Sequence, residues 1–125
     1  MDRRPGCVLV AEDDPSLLLL HRIWLEGEGY EVSAAADGVE ALATIAADGL
    51  PEAAILDVEM PRIDGLDVCR FLRTQSAGMP IVFVTALDDV RDDAFAAGAT
   101  DVLGKPSDLG RLMAILRDAS RAATA

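Results

Sequence analysis

Short apolar runs alternate along the chain with longer segments of helical periodicity, which predicts five strand–helix units. Glycine or proline stands near the point where most elements should end. The predicted strands are Cys7–Ala11, Glu31–Ala35, Ala53–Leu56, Ile81–Val84 and Asp101–Leu103. The predicted helices are Pro15–Glu28, Val39–Ala47, Gly65–Thr74, Asp88–Ala97 and Ser107–Ala122.

The strict alternation of strands and helices predicts a five-stranded parallel sheet with helices on both faces, because each crossover connection is right-handed. We therefore expect a doubly wound α/β fold, with strand order 2-1-3-4-5. In such folds ligands bind at the carboxyl ends of the strands, where the strand order reverses. Polar residues at these ends are the candidate functional residues.

The length of the chain and its net charge exclude some classes of function. The 125 residues form one predicted domain over 1–125, with an ordered core from about residue 6 to 122. A net charge of −11 argues against direct binding of nucleic acid or of an anionic membrane, and favours a cation or a basic partner. No apolar run is long enough to span a bilayer, so a cytoplasmic location is expected. Cys7 and Cys69 lack metal-ligand spacing and should be reduced and packed.

Charged and polar side chains stand at the ends of four strands. Glu12 and Asp13 follow strand 1, and Asp57 follows strand 3. Neighbouring strands are about 4.8 Å apart, so these carboxylates should crowd together and repel one another. A hard divalent cation such as Mg²⁺ relieves the repulsion, since it prefers oxygen ligands. Thr85 and Lys105 end strands 4 and 5, where a hydroxyl and a long-stemmed ammonium group can reach a phosphoryl group on Asp57.

Four motifs in order make the chain resemble the receiver domain of two-component response regulators over essentially its whole length. They are "VLVAEDDPSL", "AAILDVEMPRIDGLDV", "VFVTAL" and "VLGKP", each at the end of a predicted strand. The resemblance implies a flavodoxin-like (βα)5 fold. It also implies that Asp57 accepts a phosphoryl group from a sensor histidine kinase, a histidine phosphotransfer protein or a small phosphodonor, and that the domain then switches its binding of a downstream partner.

The same resemblance assigns the ligands around Asp57. Glu12, Asp13, Asp57 and the backbone carbonyl of Glu59 would hold Mg²⁺ or Mn²⁺. Thr85 and Lys105 would bind the phosphoryl oxygens, and the bond between Lys105 and Pro106 is expected to be cis. Autodephosphorylation would be slow, so the domain is expected to be a switch and not an enzyme acting on an external substrate.

Some positions depart from the family pattern or adjust it. Val102 stands where the family usually has a Tyr or Phe that turns inward on activation, and Ser107 replaces an aromatic residue after Lys-Pro. Output through helix 4, strand 5 and helix 5 is therefore expected to differ. Glu59 and Leu87 occupy positions that control the access of water to the acyl phosphate, and we expect Leu87 to shield it.

Helix 1 is apolar on more than one side. At 100° per residue, one face should carry Leu17, Leu20, His21 and Trp24 towards the core. Leu18, Leu19 and Ile23 should then lie on the outer or flanking side, and receivers dock their kinase on the helix 1 side. Asp14, next to Pro15, is expected to cap this helix.

Two alternatives stay open from the residues alone. Glu59 lies two residues after Asp57, as does the acid/base of haloacid-dehalogenase-type aspartyl-phosphate phosphatases. In those enzymes, however, the nucleophile follows the first strand, and this chain has no room for a cap domain. The other alternative is a pseudo-receiver that no longer signals. The cognate kinase, the target and homodimer formation are left open.

Overall fold

Five parallel strands form a single sheet in the computed structural model, which describes residues 2–105 and 109–124, with side chains as far as residue 119. Counted along the chain, the strands lie in the order 2-1-3-4-5, which confirms the predicted order. The third and fourth strands are mostly apolar and buried, as expected of strands with helices on both faces. They span Arg3–Ala11 (β1), Glu31–Ala35 (β2), Leu50–Leu56 (β3), Ile81–Thr85 (β4) and Asp101–Gly104 (β5).

Five helices alternate with the strands, as predicted. Aspartate side chains cap three of them by accepting hydrogen bonds from amides of the first turn, namely Asp14, Asp37 and Asp64. The expected cap at Asp14 is thereby confirmed. The helices span Pro15–Gly27 (α1), Gly38–Asp48 (α2), Gly65–Gln75 (α3), Arg91–Ala97 (α4) and Leu109–Thr124 (α5).

The helices are divided between the two faces of the sheet. Buried residues of α2, α3 and α4 pack on one face, around Leu56 and Phe83. Leu25 of α1 and the apolar face of α5 pack on the other, around Val10 and Val84. Both faces of the sheet are therefore covered, and its carboxyl edge is the open side. Among the described residues, no helix has the length and apolar character needed to cross a bilayer.

Three element boundaries differ from the prediction by three residues or more. β1 begins at Arg3, and β3 begins at Leu50, because Arg3 and Arg4 pair with Leu50 and Pro51 ahead of a register shift. The prediction placed these residues in a terminal tail and a turn. Helix α4 begins at Arg91 and not at Asp88, since the chain after β4 first runs through an irregular loop.

Candidate functional site

Three carboxylates meet at the carboxyl ends of β1 and β3. Ligand oxygens of Glu12, Asp13 and Asp57 all lie within 4.8 Å of one another. The strand register explains the meeting: Ala11 pairs with Leu56, and the Asp57 amide donates to the Ala11 carbonyl at 3.0 Å. The predicted crowding of acids from strands 1 and 3 is confirmed.

The three acids differ in their exposure to water. Glu12 and Asp57 are 2% and 5% exposed, whereas Asp13 is exposed. Burial disfavours the charged form of a carboxyl group. It raises the pKa of Glu12 to about 7, against the lowering effect of hydrogen bonds from Lys105 and from the Asp14 amide. Near neutral pH, Glu12 is therefore only partly ionised.

Lys105 bridges the two buried acids. Its Nζ lies 2.7 Å from a Glu12 Oε1 and 2.8 Å from Asp57 Oδ2. Burial acts to lower the pKa of Lys105, but its hydrogen bonds to Asp57 and Glu12 outweigh burial and raise the pKa above the ordinary value. The Lys105 backbone amide donates to the Thr85 carbonyl at 2.9 Å, which extends the β4–β5 pairing and fixes the origin of the long side chain.

Thr85 ends β4 and is buried. Its Oγ1 accepts a hydrogen bond from the Leu87 amide at 3.1 Å, which uses the hydroxyl as an acceptor and holds the start of the β4–α4 loop. Leu87 is half-buried and packs against the core. Val102 is buried on the neighbouring strand, and a cavity of about 160 Å³ lies between these residues. Pro106 and Ser107 lie outside the described residues.

Arg91 is a residue beside this cavity that the sequence reading missed. Its guanidinium donates to the Val102 carbonyl at 3.1 Å and lies 5.2 Å from the Phe95 ring centroid. It thus ties the start of α4 to β5. Nothing in the local sequence signals this contact, because the acids around Arg91 suggest only an ordinary helix start.

The loop between β3 and α3 forms one wall of an open cleft beside the acids. The cleft has a volume of about 380 Å³, and Asp13 and the exposed Glu59 line it with four further residues of the loop region, Val58, Met60, Pro61 and Asp64. Gly65 lets the loop fold back closely, since a Cβ there would lie 1.9 Å from the Asp57 carbonyl oxygen. Any larger residue would push the start of α3 away from the end of β3.

The donor set of this site fits a hard divalent cation. Within the described residues the cluster consists of carboxylates alone, and the adjoining cleft has room for water. Mg²⁺ binds through one or two carboxylates and keeps several waters, whereas zinc prefers histidine and cysteine. Three acids against one ammonium group leave an excess of negative charge, which a divalent cation would compensate.

Helix α1 presents a different exposed face from the one predicted. Leu18 is half-buried and packs against the core, so it lies on the flanking side of the helix, whereas the prediction that Leu20 and Trp24 face the core is wrong. The buried face runs through Leu18, His21 and Leu25, which leaves Leu20 and Trp24 in solvent. Leu19, Leu20, Ile23 and Trp24 are 57%, 41%, 59% and 42% exposed. These four residues are called the α1 apolar face below.

The remaining chemically reactive side chains are packed, as predicted. His21 is 1% exposed, and burial followed by the nearby charge of Lys105 lowers its pKa. Cys7 and Cys69 are buried free thiols, and burial raises the pKa of Cys69. These three side chains belong to the packing of the fold.

Comparison with known proteins agrees with this geometry. A family model described as the response regulator receiver domain matches residues 8–117. Response regulator MprA of Mycobacterium avium (strain 104) is 47% identical over 112 residues, covering 88% of this chain and 49% of the relative. MprA of Mycobacterium sp. (strain KMS) is 46% identical over 115 residues, covering 90% and 50%. The chain thus spans about half the length of these relatives.

Solved structures give the same result. The receiver domain of Francisella response regulator 1452 superposes with a TM-score of 0.82 at 28% identity, covering 94% of this chain and 98% of that one. A putative response regulator from Chloroflexus aurantiacus J-10-fl has a TM-score of 0.79 at 37% identity, covering 91% and 99%. The family match favours the receiver over the phosphatase alternative.

Proposed function

Because the chain belongs to the response regulator receiver domain family, we propose that Asp57 is its phosphoacceptor and that Mg²⁺ binds beside it. The observation that carries the proposal is the meeting of Glu12, Asp13 and Asp57 within 4.8 Å, with the Lys105 ammonium on two of them. Mn²⁺, which also suits carboxylate and water ligands, is expected to substitute. The domain is then a phosphorylatable switch of a two-component system.

The proposed transfer is an in-line displacement at phosphorus. A carboxylate oxygen of Asp57 forms the new O–P bond, while the P–N bond of a phosphohistidine or the P–O bond of an acyl phosphate breaks and its electron pair leaves with the donor. Lys105, already 2.8 Å from Asp57 Oδ2, moves with the developing charge onto a phosphoryl oxygen. The Thr85 hydroxyl donates to a second phosphoryl oxygen.

The cation would sit among Glu12, Asp13, Asp57 and the backbone carbonyl of Glu59. When bound, it supplies positive charge to the phosphoryl oxygens. The phosphoryl group carries about 1.5 to 2 negative charges in place of the single charge of the Asp57 carboxylate, and Lys105 alone does not balance them. The deprotonated form of Glu12 is the one that binds metal, so its proton must leave as the cation enters.

The same residues account for a long-lived product. We propose that the domain catalyses only its own phosphorylation and slow dephosphorylation, with no external substrate. Leu87 is half-buried beside Thr85 and shields the acyl phosphate from water, while Glu59 faces the cleft. Replacing Leu87 with Ala should change the phosphate lifetime, measured as the decay of labelled protein; an unaltered decay would contradict shielding.

Phosphorylation by a small donor tests the central proposal. Incubation with acetyl phosphate and Mg²⁺ should add one phosphoryl group by intact mass, and EDTA should prevent it. Asp57→Asn should remove the added mass completely. Asp67→Asn, on the exposed surface of α3, is the matched control and should be phosphorylated as the wild type is. Labelling of Asp57→Asn at the wild-type level would contradict the assignment.

We further propose that the phosphodonor in the cell is a sensor histidine kinase or a histidine phosphotransfer protein, and that it docks on the α1 apolar face. This face adjoins the site, since Leu17, Leu20 and Lys105 line one shallow cavity. A cytoplasmic location and the absence of direct nucleic-acid binding by this domain belong to the same proposal. Homodimer formation and switching through β5, where Val102 replaces the usual aromatic residue, would follow phosphorylation.

Leu19→Glu with Ile23→Glu tests the docking surface. The pair should slow transfer from a kinase that phosphorylates the wild type, with phosphorylation by acetyl phosphate unchanged. Phe95→Glu is the matched control, because Phe95 is 41% exposed on α4. Equal slowing with both donors, or with the control, would contradict docking on α1.

A further inference from the structure

The loop of residues 58–64 has to be held in place by contacts outside the sheet. Strand β3 ends at Leu56 and helix α3 begins at Gly65, so the register of the sheet does not fix the residues between them. This loop carries Glu59 and forms the wall of the cleft that faces Asp13. Its position therefore decides the width of the acidic cleft.

The loop packs against the start of helix α2. A Cβ added to Gly38 would lie 2.0 Å from the Ile63 carbonyl oxygen, which means that the two backbones are in direct contact. Just before Gly38, the carboxylate of Asp37 caps α2 by accepting from the Glu40 amide at 2.8 Å. The N-terminus of α2 is thus a fixed support beside the loop.

Arg62 has a strained backbone conformation in this loop. Its φ is 70°, and it is the only non-glycine residue with positive φ among residues 2–105 and 109–124. A residue other than Gly in this region costs on the order of 1 kcal/mol or more. The guanidinium Nη2 donates to Asp37 Oδ2, with the Arg62 side chain 63% exposed and that of Asp37 15% exposed. The strained conformation points the side chain to this partner.

We propose that the ion pair between Arg62 and Asp37 is a clamp that fixes the 58–64 loop against α2 and thereby sets the affinity of the acidic cleft for divalent cations. The inference rests on the proposed function, in which the cleft binds Mg²⁺. Arg62 is a positioning residue here, since it acts through the loop and not by contact with the cation.

Electrostatics alone predicts the opposite effect of removing Arg62. Loss of a positive charge beside an acidic site makes the site more negative, which favours a cation. The clamp predicts weaker binding, because the loop that carries the Glu59 carbonyl loses its support. The two effects are separated by a double variant that removes one positive and one negative charge together.

The test is calorimetric titration of the full chain with MgCl₂, comparing wild type with Arg62→Gly/Asp37→Asn. Asn preserves the helix cap and Gly accepts the positive φ, so the thermal midpoint should stay equal or rise. The Kd for Mg²⁺ should increase about twofold to fivefold, because an ion pair with one exposed partner stabilises the loop only modestly. The single variant Arg62→Lys keeps a positive partner for Asp37. Its affinity for Mg²⁺ should therefore lie closer to that of the wild type than to that of Arg62→Gly/Asp37→Asn.

The control is Asp67→Asn/Arg70→Gln on α3. Like the test variant, it removes one negative and one positive charge, here from an exposed ion pair. Its Kd should equal that of the wild type. An unchanged Kd in the Arg62→Gly/Asp37→Asn variant, or an equal increase in the control, would overturn the clamp and leave the metal site standing. No measurable binding of Mg²⁺ to the wild type would overturn the metal site itself, and the clamp with it.

Discussion

At the carboxyl end of the sheet two buried carboxylates share one ammonium group, whereas at the amino end guanidinium groups are surrounded by oxygen acceptors. Lys105 is the cation at the first end, with Glu12 and Asp57 as its partners. Arg4 and Arg73 are the corresponding cations at the second. The carboxyl end therefore has more negative than positive charge, whereas the guanidinium groups of the amino end have their donors matched by acceptors of the chain.

Arg73 shows how the amino end is closed. Its guanidinium donates to the carbonyls of Gly98, Ser76, Ala77 and Met79, over distances of 2.6 to 3.1 Å. These are carbonyls of loops that follow helices α3 and α4, where a cation is favoured by the helix dipole. No ligand is needed to complete this arrangement.

The comparison separates stability from function. Polar groups at the amino end are satisfied within the chain, so they tie loops together. At the carboxyl end, burial of Glu12 and Asp57 with too little positive charge costs stability, and binding of the proposed cation would recover part of that cost. Proteins concentrate such unfavourable arrangements at functional sites. The predictions below test whether the two ends differ in this way.

Removing Lys105 should have the largest effect. Lys105→Met leaves Glu12 and Asp57 without their shared cation, and the free energy of unfolding should fall by about 4 kcal/mol at pH 8 in EDTA. Mg²⁺ at 100 times its Kd should restore about 2.7 kcal/mol. Urea denaturation with and without Mg²⁺ measures both.

Arg22→Met is the control for Lys105→Met. It breaks the exposed pair with Glu26 on α1, which should cost about 0.5 kcal/mol or less and should not respond to Mg²⁺. If Lys105→Met lowers the free energy of unfolding no more than Arg22→Met does, Lys105 is not needed to stabilise the buried acids of the carboxyl end.

The titration of Glu12 should give the next largest effect. The folded protein keeps the Glu12 proton up to a pKa of about 7, and the unfolded chain releases it near the ordinary pKa of 4.5. The metal-free protein should therefore lose stability as pH rises from about 4.5 to 7, by up to about 3 kcal/mol. The affinity for Mg²⁺ should rise over the same range. Glu12→Gln should flatten both dependences, measured by urea denaturation and calorimetry; equal slopes in both proteins would argue against titration of Glu12.

The sequence predicts the acidic end well because its geometry follows from local signals. Glu12, Asp13 and Asp57 come directly after apolar runs, and the parallel order of the strands then brings them together. Lys105 needs only a long stem to reach them. Such a site depends on where strands end, which the hydrophobic pattern shows.

The features that the sequence does not predict depend on contacts between distant segments. Four consecutive leucines on α1 do not indicate which of them is buried, and the prediction that Leu20 faces the core is therefore wrong. Pairing of Arg3 with Leu50 extends β1 and β3 through residues that read as a tail and a turn. The positive φ of Arg62 is understood only once Asp37 is known to lie beside it.

Replacing Arg73 should have an intermediate effect on stability and none on function. Arg73→Ala removes the donors of several partly buried carbonyls, which should cost about 2 kcal/mol of unfolding free energy. Arg70→Ala, one turn away in α3 and exposed, is the control and should cost about 0.5 kcal/mol or less. The Kd for Mg²⁺ should be unchanged in both variants. A larger Kd for Mg²⁺ in Arg73→Ala than in the wild type would show that the two ends of the sheet are coupled.

Arg4 should show the smallest effect, because its partners lie near the surface. It contacts Glu31, Asp48 and the Ser33 hydroxyl, and its side chain is 27% exposed. In a double-mutant cycle with Arg4→Ala and Glu31→Gln, the coupling energy should be about 0.5 kcal/mol and should shrink in 1 M NaCl. Mg²⁺ should leave it unchanged. A coupling as large as the Lys105 effect, or one that Mg²⁺ alters, would mean that the amino end also holds charge at a cost, and the contrast between the two ends would fail.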